Sequence, residues 1–140
     1  MRLWHQSLIK YLPRQQLLGQ HRECCALRGK GWGRNHSVVN YVFEHDPAKL
    51  IAYHILVMNE MKSRGYNPNE IWYKPQYRGS SLEEQDWCSL ENLDVLLNNN
   101  FIIFPEHNDK YLQECIENLK GKGIEIDVAG KSGSSSGSRD

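Results

Sequence analysis

Residues 46–65, "DPAKLIAYHILVMNEMKSRG", constrain the fold more than any other stretch of this chain. Asp46 is a residue of the N-cap type, Pro47 suits the first helical position, and Gly65 suits the position just past a helix end. Between them Leu50, Ile51, His54, Val57, Met58 and Met61 recur at helical spacing, and apolar residues also occupy other faces. A helix that is apolar on more than one face needs cover on more than one side. The segment is therefore expected to run through the centre of the domain, with His54 a hydrogen-bonded core histidine rather than a ligand.

The remaining punctuation predicts helices around that centre. In "YLPRQQLLGQHRECCAL", Pro13 fits a first helical turn, and Leu17, Leu18, His21, Cys24 and Cys25 form the expected buried face. Glu23 falls on another face with Gln16, Gly19 and Gln20, and Gly19 and Ala26 lie one turn either side of it. Two S-x-x-E capping boxes, Ser80/Glu83 and Ser81/Glu84, predict the start of a further helix. Asn108 is placed to cap a last one, with Tyr111, Leu112, Cys115, Ile116 and Leu119 inward. "SVVNYVF" reads as a short strand or a lead-in, and "IEIDV" is too short to classify. The expected class is mainly α with little or no sheet, in one domain over residues 1–128. Residues 129–140, "AGKSGSSSGSRD", read as a flexible Gly/Ser-rich tail, a linker or tag remnant.

Charge is distributed unevenly. Residues 1–40 hold seven cations against a single anion, Glu23, whereas residues 41–128 hold eight cations and fifteen anions. Such a basic block points to a polyanion-facing surface, with mutual pairing of the two halves as the alternative. The loop "RGKGWGRNH", residues 28–36, adds three glycines, three cations and Trp32, a composition suited to phosphate and base contacts. A structural loop around a packed Trp32 is the other reading. The four cysteines include no C-x-x-C pair, so they read as reduced core thiols. No apolar run approaches the roughly 18 residues of a membrane span, and no signal-peptide pattern opens the chain, so an intracellular, soluble protein is expected.

The opening "MRLWHQSL", the motif "LPRQQLLGQHRE" and the helix exit of "KLIAYHILVMNEMKSRGYN" together resemble the pyrimidine-dimer DNA glycosylase/AP lyase family, of the bacteriophage endonuclease V type. A weaker echo lies in "IIFPEHNDKYLQECIENLKGK". The resemblance covers residues 1–67 and, loosely, 101–122, and rests on the order of short motifs. It implies a compact domain of about three to four helices with the N-terminus packed between them. It also implies cleavage of the glycosyl bond at pyrimidine dimers through a Schiff base from the N-terminal α-amine, followed by β-elimination of the DNA strand. No cofactor or metal is implied, and the partner is damaged double-stranded DNA, bound by a monomer.

Carried onto this chain, the resemblance makes the Met1 amine the nucleophile and Glu23 the carboxylate that moves protons. It makes Arg2 and Arg22 the phosphate-holding arginines. Met1 is expected to be retained, because Arg2 is too bulky a second residue for its removal. By charge and position Arg14, Arg28, Lys30, Arg34 and His36 are further candidate DNA contacts, and Lys120 and Lys122 fall near a later basic helix of the family. The chain departs from the phage type in lacking its aromatic-basic end, although "IWYKPQYRG" has a similar composition elsewhere. Two other readings compete: a nucleic-acid-binding domain without catalysis, and a metal-dependent hydrolase using Glu106, His107 and Asp109 with His36 or His45. The last is the weaker, since His-Asn-Asp before a helix is the usual composition of a cap.

Overall fold

In a computed structural model of the chain, residues 2–35, 38–99 and 101–126 are described. Four α-helices, α1 (Arg14–Arg28), α2 (Pro47–Ser63), α3 (Leu90–Leu97) and α4 (Asp109–Gly121), alternate with short 3-10 helices at Gln6–Tyr11, Asn40–Glu44 and Glu70–Tyr73. No strand occurs among the described residues, so the mainly α class holds. The segment "SVVNYVF" supplies the second 3-10 helix, and Ile124 to Ile126 have no regular structure. The expected flexible tail at 129–140 lies outside the described residues. No described helix is long and apolar enough to cross a membrane.

α2 is the hub. Ten of its residues are buried, on every side of the helix, and it packs against α1, α3 and the first two 3-10 helices. Its ends form as its punctuation dictates: Asp46 accepts a hydrogen bond from Ala48 N at 2.8 Å, Pro47 opens the helix, and Gly65 adopts φ +89° beyond it. Each fully buried side chain such as Leu50, Ile51 and Met58 contributes roughly 1.5–3 kcal/mol through the water it sheds.

α1 differs from expectation in the face that it buries. Its inward residues are Leu17, Gln20, Cys24, Leu27 and Arg28, while His21 and Cys25 are only half-buried. Two polar side chains, Gln20 and Arg28, thus take core positions, held by partners far along the chain, with Arg28 Nε alone of their polar atoms buried without a hydrogen bond. Pro13 precedes the helix as its N-cap residue and does not enter the first turn.

The capping boxes at Ser80 and Ser81 do not open a helix. Residues 83–86 are all exposed and have no apolar face to bury, so a helix there would gain little from packing. Tertiary ties take the segment instead: Trp87 Nε1 donates to Pro75 O at 3.0 Å, Gln85 N to Gln76 O at 3.2 Å, and Arg78 to Gln85 Oε1 at 2.6 Å. α3 begins more than two turns later, capped by Ser89, which accepts from Asn92 N. Asn108 does cap α4 as expected, accepting from Tyr111 N at 2.9 Å, and α4 buries Cys115 and Leu119.

The N-terminal segment is packed between helices. Leu3 is fully buried and Trp4 nearly so. Their backbone is held by Gln20 of α1, Tyr53 of α2 and Tyr111 of α4. Further along, Gln6 bonds to Phe101 O and Ile103 N, and Arg64 reaches back to Leu12 O at 2.7 Å. These bonds fasten the start of the chain to α2 and to the segment before α4.

Candidate active site

A cleft of about 410 Å³ opens between α1 and the end of α4. That volume lies in the usual range for small-ligand pockets, roughly 300–1,000 Å³. Gln15, Gln16, Gly19, Gln20 and Glu23 line one wall, Asn118 and Lys122 face them from α4, and Arg2, Trp4 and Val38 complete it. The helical face expected for Glu23 therefore does form one wall, and Gly19 leaves open space beside it: a Cβ there would meet only Arg22 Nη2, at 3.8 Å. Glu23 is half-buried, with its Oε1 closed off from solvent.

Arg2 shares this cleft with Glu23. Its guanidinium carbon lies 5.7 Å from the ring centres of both Trp4 and Tyr111, and its Nη1 lies 3.9 Å from Cys115 Sγ. The two aromatic faces hold the cation by quadrupole attraction and leave it uncommitted to any of the structure's carboxylate ion pairs among the described residues. Arg22 is exposed, with Nη2 turned toward Gly19 at the cleft's edge.

The other basic residues separate into two groups. Arg14, over the Tyr66 ring at 5.6 Å, and Lys30 and Arg34 are all exposed. Arg34 Nε donates to Lys30 O at 3.2 Å within the glycine-rich turn. Trp32 in that turn packs edge-on against Phe43 and Trp87, which is the structural reading of the loop.

Arg28 is the correction. Its side chain is fully buried, so it has no surface to offer a phosphate. Its guanidinium donates to Trp72 O at 2.7 Å, Lys74 O at 2.9 Å, Tyr77 O at 3.0 Å and His54 Nδ1 at 2.9 Å. Desolvation pushes its pKa down to about 10. Arg28 thus pins the aromatic loop 70–78 to α1 and α2. Met1 and His36, both named from the sequence, lie outside the described residues.

Behind α1, His21, Cys25 and His54 bring three potential metal-ligand atoms within 4.8 Å of one another. The direction of their hydrogen bonds fits a cation poorly. An arginine can only donate, so Arg28 fixes His54 Nδ1 as an acceptor and places the ring proton on Nε2, facing His21 Nδ1 at 2.8 Å. A metal on Nε2 would have to displace that proton beside a buried guanidinium. Burial and the nearby cations also push both imidazoles toward the neutral form, and burial raises the Cys25 thiol to about 11 against the opposing pull of Arg28. The group is a hydrogen-bonded chain running from half-buried His21 and Cys25 to buried His54, the core histidine its helix position implied.

Of the residues of the hydrolase reading, His107 is committed to the fold, and His45 and Glu106 pair with each other. His107 Nδ1 accepts from Gln6 N at 3.1 Å and its Nε2 bonds the Tyr41 hydroxyl at 2.7 Å, while His45 meets both oxygens of Glu106 at 3.0 and 3.1 Å. Sequence reasoning missed Trp4, Asn118 and Val38 as cleft residues. They carry no local signal, because the cleft joins segments a hundred residues apart.

Fold and site together define an all-helical protein whose polar cleft is built around its own N-terminal segment. Residues 1–74 match the model of the pyrimidine dimer DNA glycosylase family. That match covers just over half of the 140 residues, and the chain belongs to this family. No curated protein and no solved structure matches it.

Proposed function

We propose that this chain is a DNA glycosylase with AP lyase activity that acts on pyrimidine dimers in duplex DNA through its N-terminal amine. The observation that carries this reading is the cleft, which joins Arg2, the residue next to the chain's first amine, to the half-buried Glu23. An α-amine has a pKa of roughly 7.7–8.0, so a useful fraction is neutral at physiological pH and can attack an electrophilic carbon.

In this mechanism the amine nitrogen of Met1 bonds to C1′ of the damaged nucleotide while the glycosyl bond breaks, its electron pair leaving with the base. Protonation of the sugar's ring oxygen opens the ring and yields the imine. Removal of a C2′ proton then expels the 3′ phosphate by β-elimination, and water hydrolyses the remaining imine. Glu23 is the group assigned to the proton transfers, since it is the carboxylate lining the cleft. Arg2 in the cleft and Arg22 at its edge are assigned to the flanking phosphates, and exposed Arg14, Lys30 and Arg34 to the backbone further out. Lys122 supplies a cation on the α4 wall.

Borohydride reduction tests the proposal. With a duplex carrying a dimer or an abasic site, it should trap a covalent adduct that maps to the N-terminal peptide. Acetylating the α-amine should abolish trapping but leave duplex binding intact. Glu23→Gln should bind and fail to nick. No adduct with either duplex would refute the reading and leave a DNA-binding domain without catalysis.

A further inference from the structure

Three helices grip the backbone of residues 2–4, and one of the grips is unlike the others. Gln20 of α1 uses both ends of its amide: Oε1 accepts from Trp4 N at 2.7 Å, and Nε2 donates to Arg2 O at 3.0 Å. The assignment of its oxygen and nitrogen follows from the partners, because a backbone N–H only donates and a carbonyl only accepts. The Tyr53 hydroxyl lies 2.5 Å from Trp4 O and 2.8 Å from Gln20 Oε1, so it braces both the segment and the amide. Tyr111 of α4 donates to Leu3 O at 2.5 Å. Burial raises the pKa of both phenols, Tyr111 to about 12, which keeps them donors.

We propose that Gln20 is a positioning residue, setting the register of residues 2–4 against α1 and so the approach of the first amine to Glu23. It rests on the amine-nucleophile reading above. Each tyrosine donates to one carbonyl and so holds the segment at a single point, about which it can pivot. Gln20 holds two points at once, the N–H of residue 4 and the C=O of residue 2, as a neighbouring strand would, and so fixes the segment's direction as well as its place. A slip of one residue in such extended backbone turns every side chain to the opposite face. Gln20 is nearly fully buried, so water cannot replace the lost bonds cheaply. Glu23 stands three residues further along the same helix and lines the same cleft. One rigid element therefore carries both the clamp for the segment and the carboxylate that lines the cleft beside it.

Two substitutions separate positioning from packing. Gln20→Met keeps the length and loses both bonds. Gln20→Glu keeps the shape; its protonated acid has a C=O and an O–H where the amide has its C=O and N–H, whereas its ionised form repels Arg2 O. Single-turnover borohydride trapping on an abasic-site duplex is measured from pH 5 to 8.5, well below each variant's melting temperature, with the adduct mapped to the N-terminal peptide. Gln20→Met should still bind the duplex but, at saturating protein, trap on the order of 10²-fold more slowly, the usual cost of displacing a reacting group by about 1 Å. Relative to the unsubstituted protein, Gln20→Glu should recover trapping as pH falls, while Gln20→Met should not.

Trapping by Gln20→Met at the unsubstituted rate would overturn the proposal. So would equal losses in both variants at every pH, which would assign the effect to packing. If the unsubstituted protein forms no adduct, the amine reading itself falls, and Gln20 loses this role with it.

Discussion

Replacing Arg28 by methionine distinguishes a structural arginine from a phosphate ligand. The guanidinium donates to three backbone carbonyls and to His54 Nδ1 at 2.7–3.0 Å. Hydrogen bonds from a charged donor each contribute roughly 1.5–3 kcal/mol, so the four bonds are worth about 6–12 kcal/mol before the cost of burying the cation. That cost is several kcal/mol, and no carboxylate offsets it among the described residues. The net loss on stranding the four acceptors is then about 3–5 kcal/mol, the range seen when a buried polar network is broken. For a chain of this size it lowers the melting temperature by roughly 6–20 °C. Thermal unfolding followed by tryptophan fluorescence measures this. The duplex dissociation constant of the folded variant, taken at several salt concentrations, should keep its slope. Arg22→Gln should do the reverse: stability should stay within about 0.5 kcal/mol, while the salt slope falls by about 0.9 for the lost phosphate contact. If Arg28→Met melts normally and loses that slope, the buried role assigned to Arg28 is wrong.

Other expectations are more local. His107 is pushed down to about 3 and His54 well below its ordinary value, both by burial, so both rings fold neutral. Their folded pKa values lie below the unfolded value near 6.5, so the stability they support is complete above pH 6.5 and drains away as pH falls toward their folded values. Each ring contributes about 1.4 kcal/mol per pH unit in that window. Melting temperatures that stay level between pH 7 and 5 would contradict this. Gly31→Ala should destabilise the end of α1 by about 1–3 kcal/mol, because the new Cβ would meet Ala26 O at 2.7 Å; urea unfolding reads the difference. Asn108→Ala should cost about 1 kcal/mol for the lost cap of α4, whereas Ser80→Ala should leave the urea midpoint unchanged, because no helix begins there.

α2 was legible in the sequence because its signals are local: a cap, a proline, a glycine and an apolar content too broad for a surface helix. The wall carrying Glu23 was legible for the same reason, since i−3, i−4 and i−7 neighbours share a face in any α-helix. Gln20 and Arg28 were not. Polar residues on a helix read as outward unless partners are known, and here the partners are residues 2 and 4 for one and the carbonyls of 72, 74 and 77 for the other. No local pattern announces an arginine whose acceptors lie 44–49 residues away. The capping boxes at Ser80 and Ser81 failed in the opposite sense: their chemistry was right, but no buried face followed to stabilise a helix.

The threading of the first residues through three helices has a consequence for the order of assembly. Residues 2–4 leave the ribosome well before α4, for Tyr111 meets Leu3 across 108 positions and Cys115 meets Arg2 across 113. Synthesis at about 5–20 residues per second separates those partners by several seconds. During that interval the segment can find Gln20 and Tyr53 but not the α4 wall. The cleft consequently cannot exist on a nascent chain, and a fragment that stops before α4 would carry Met1, Glu23 and every basic residue of the first forty without a place to use them.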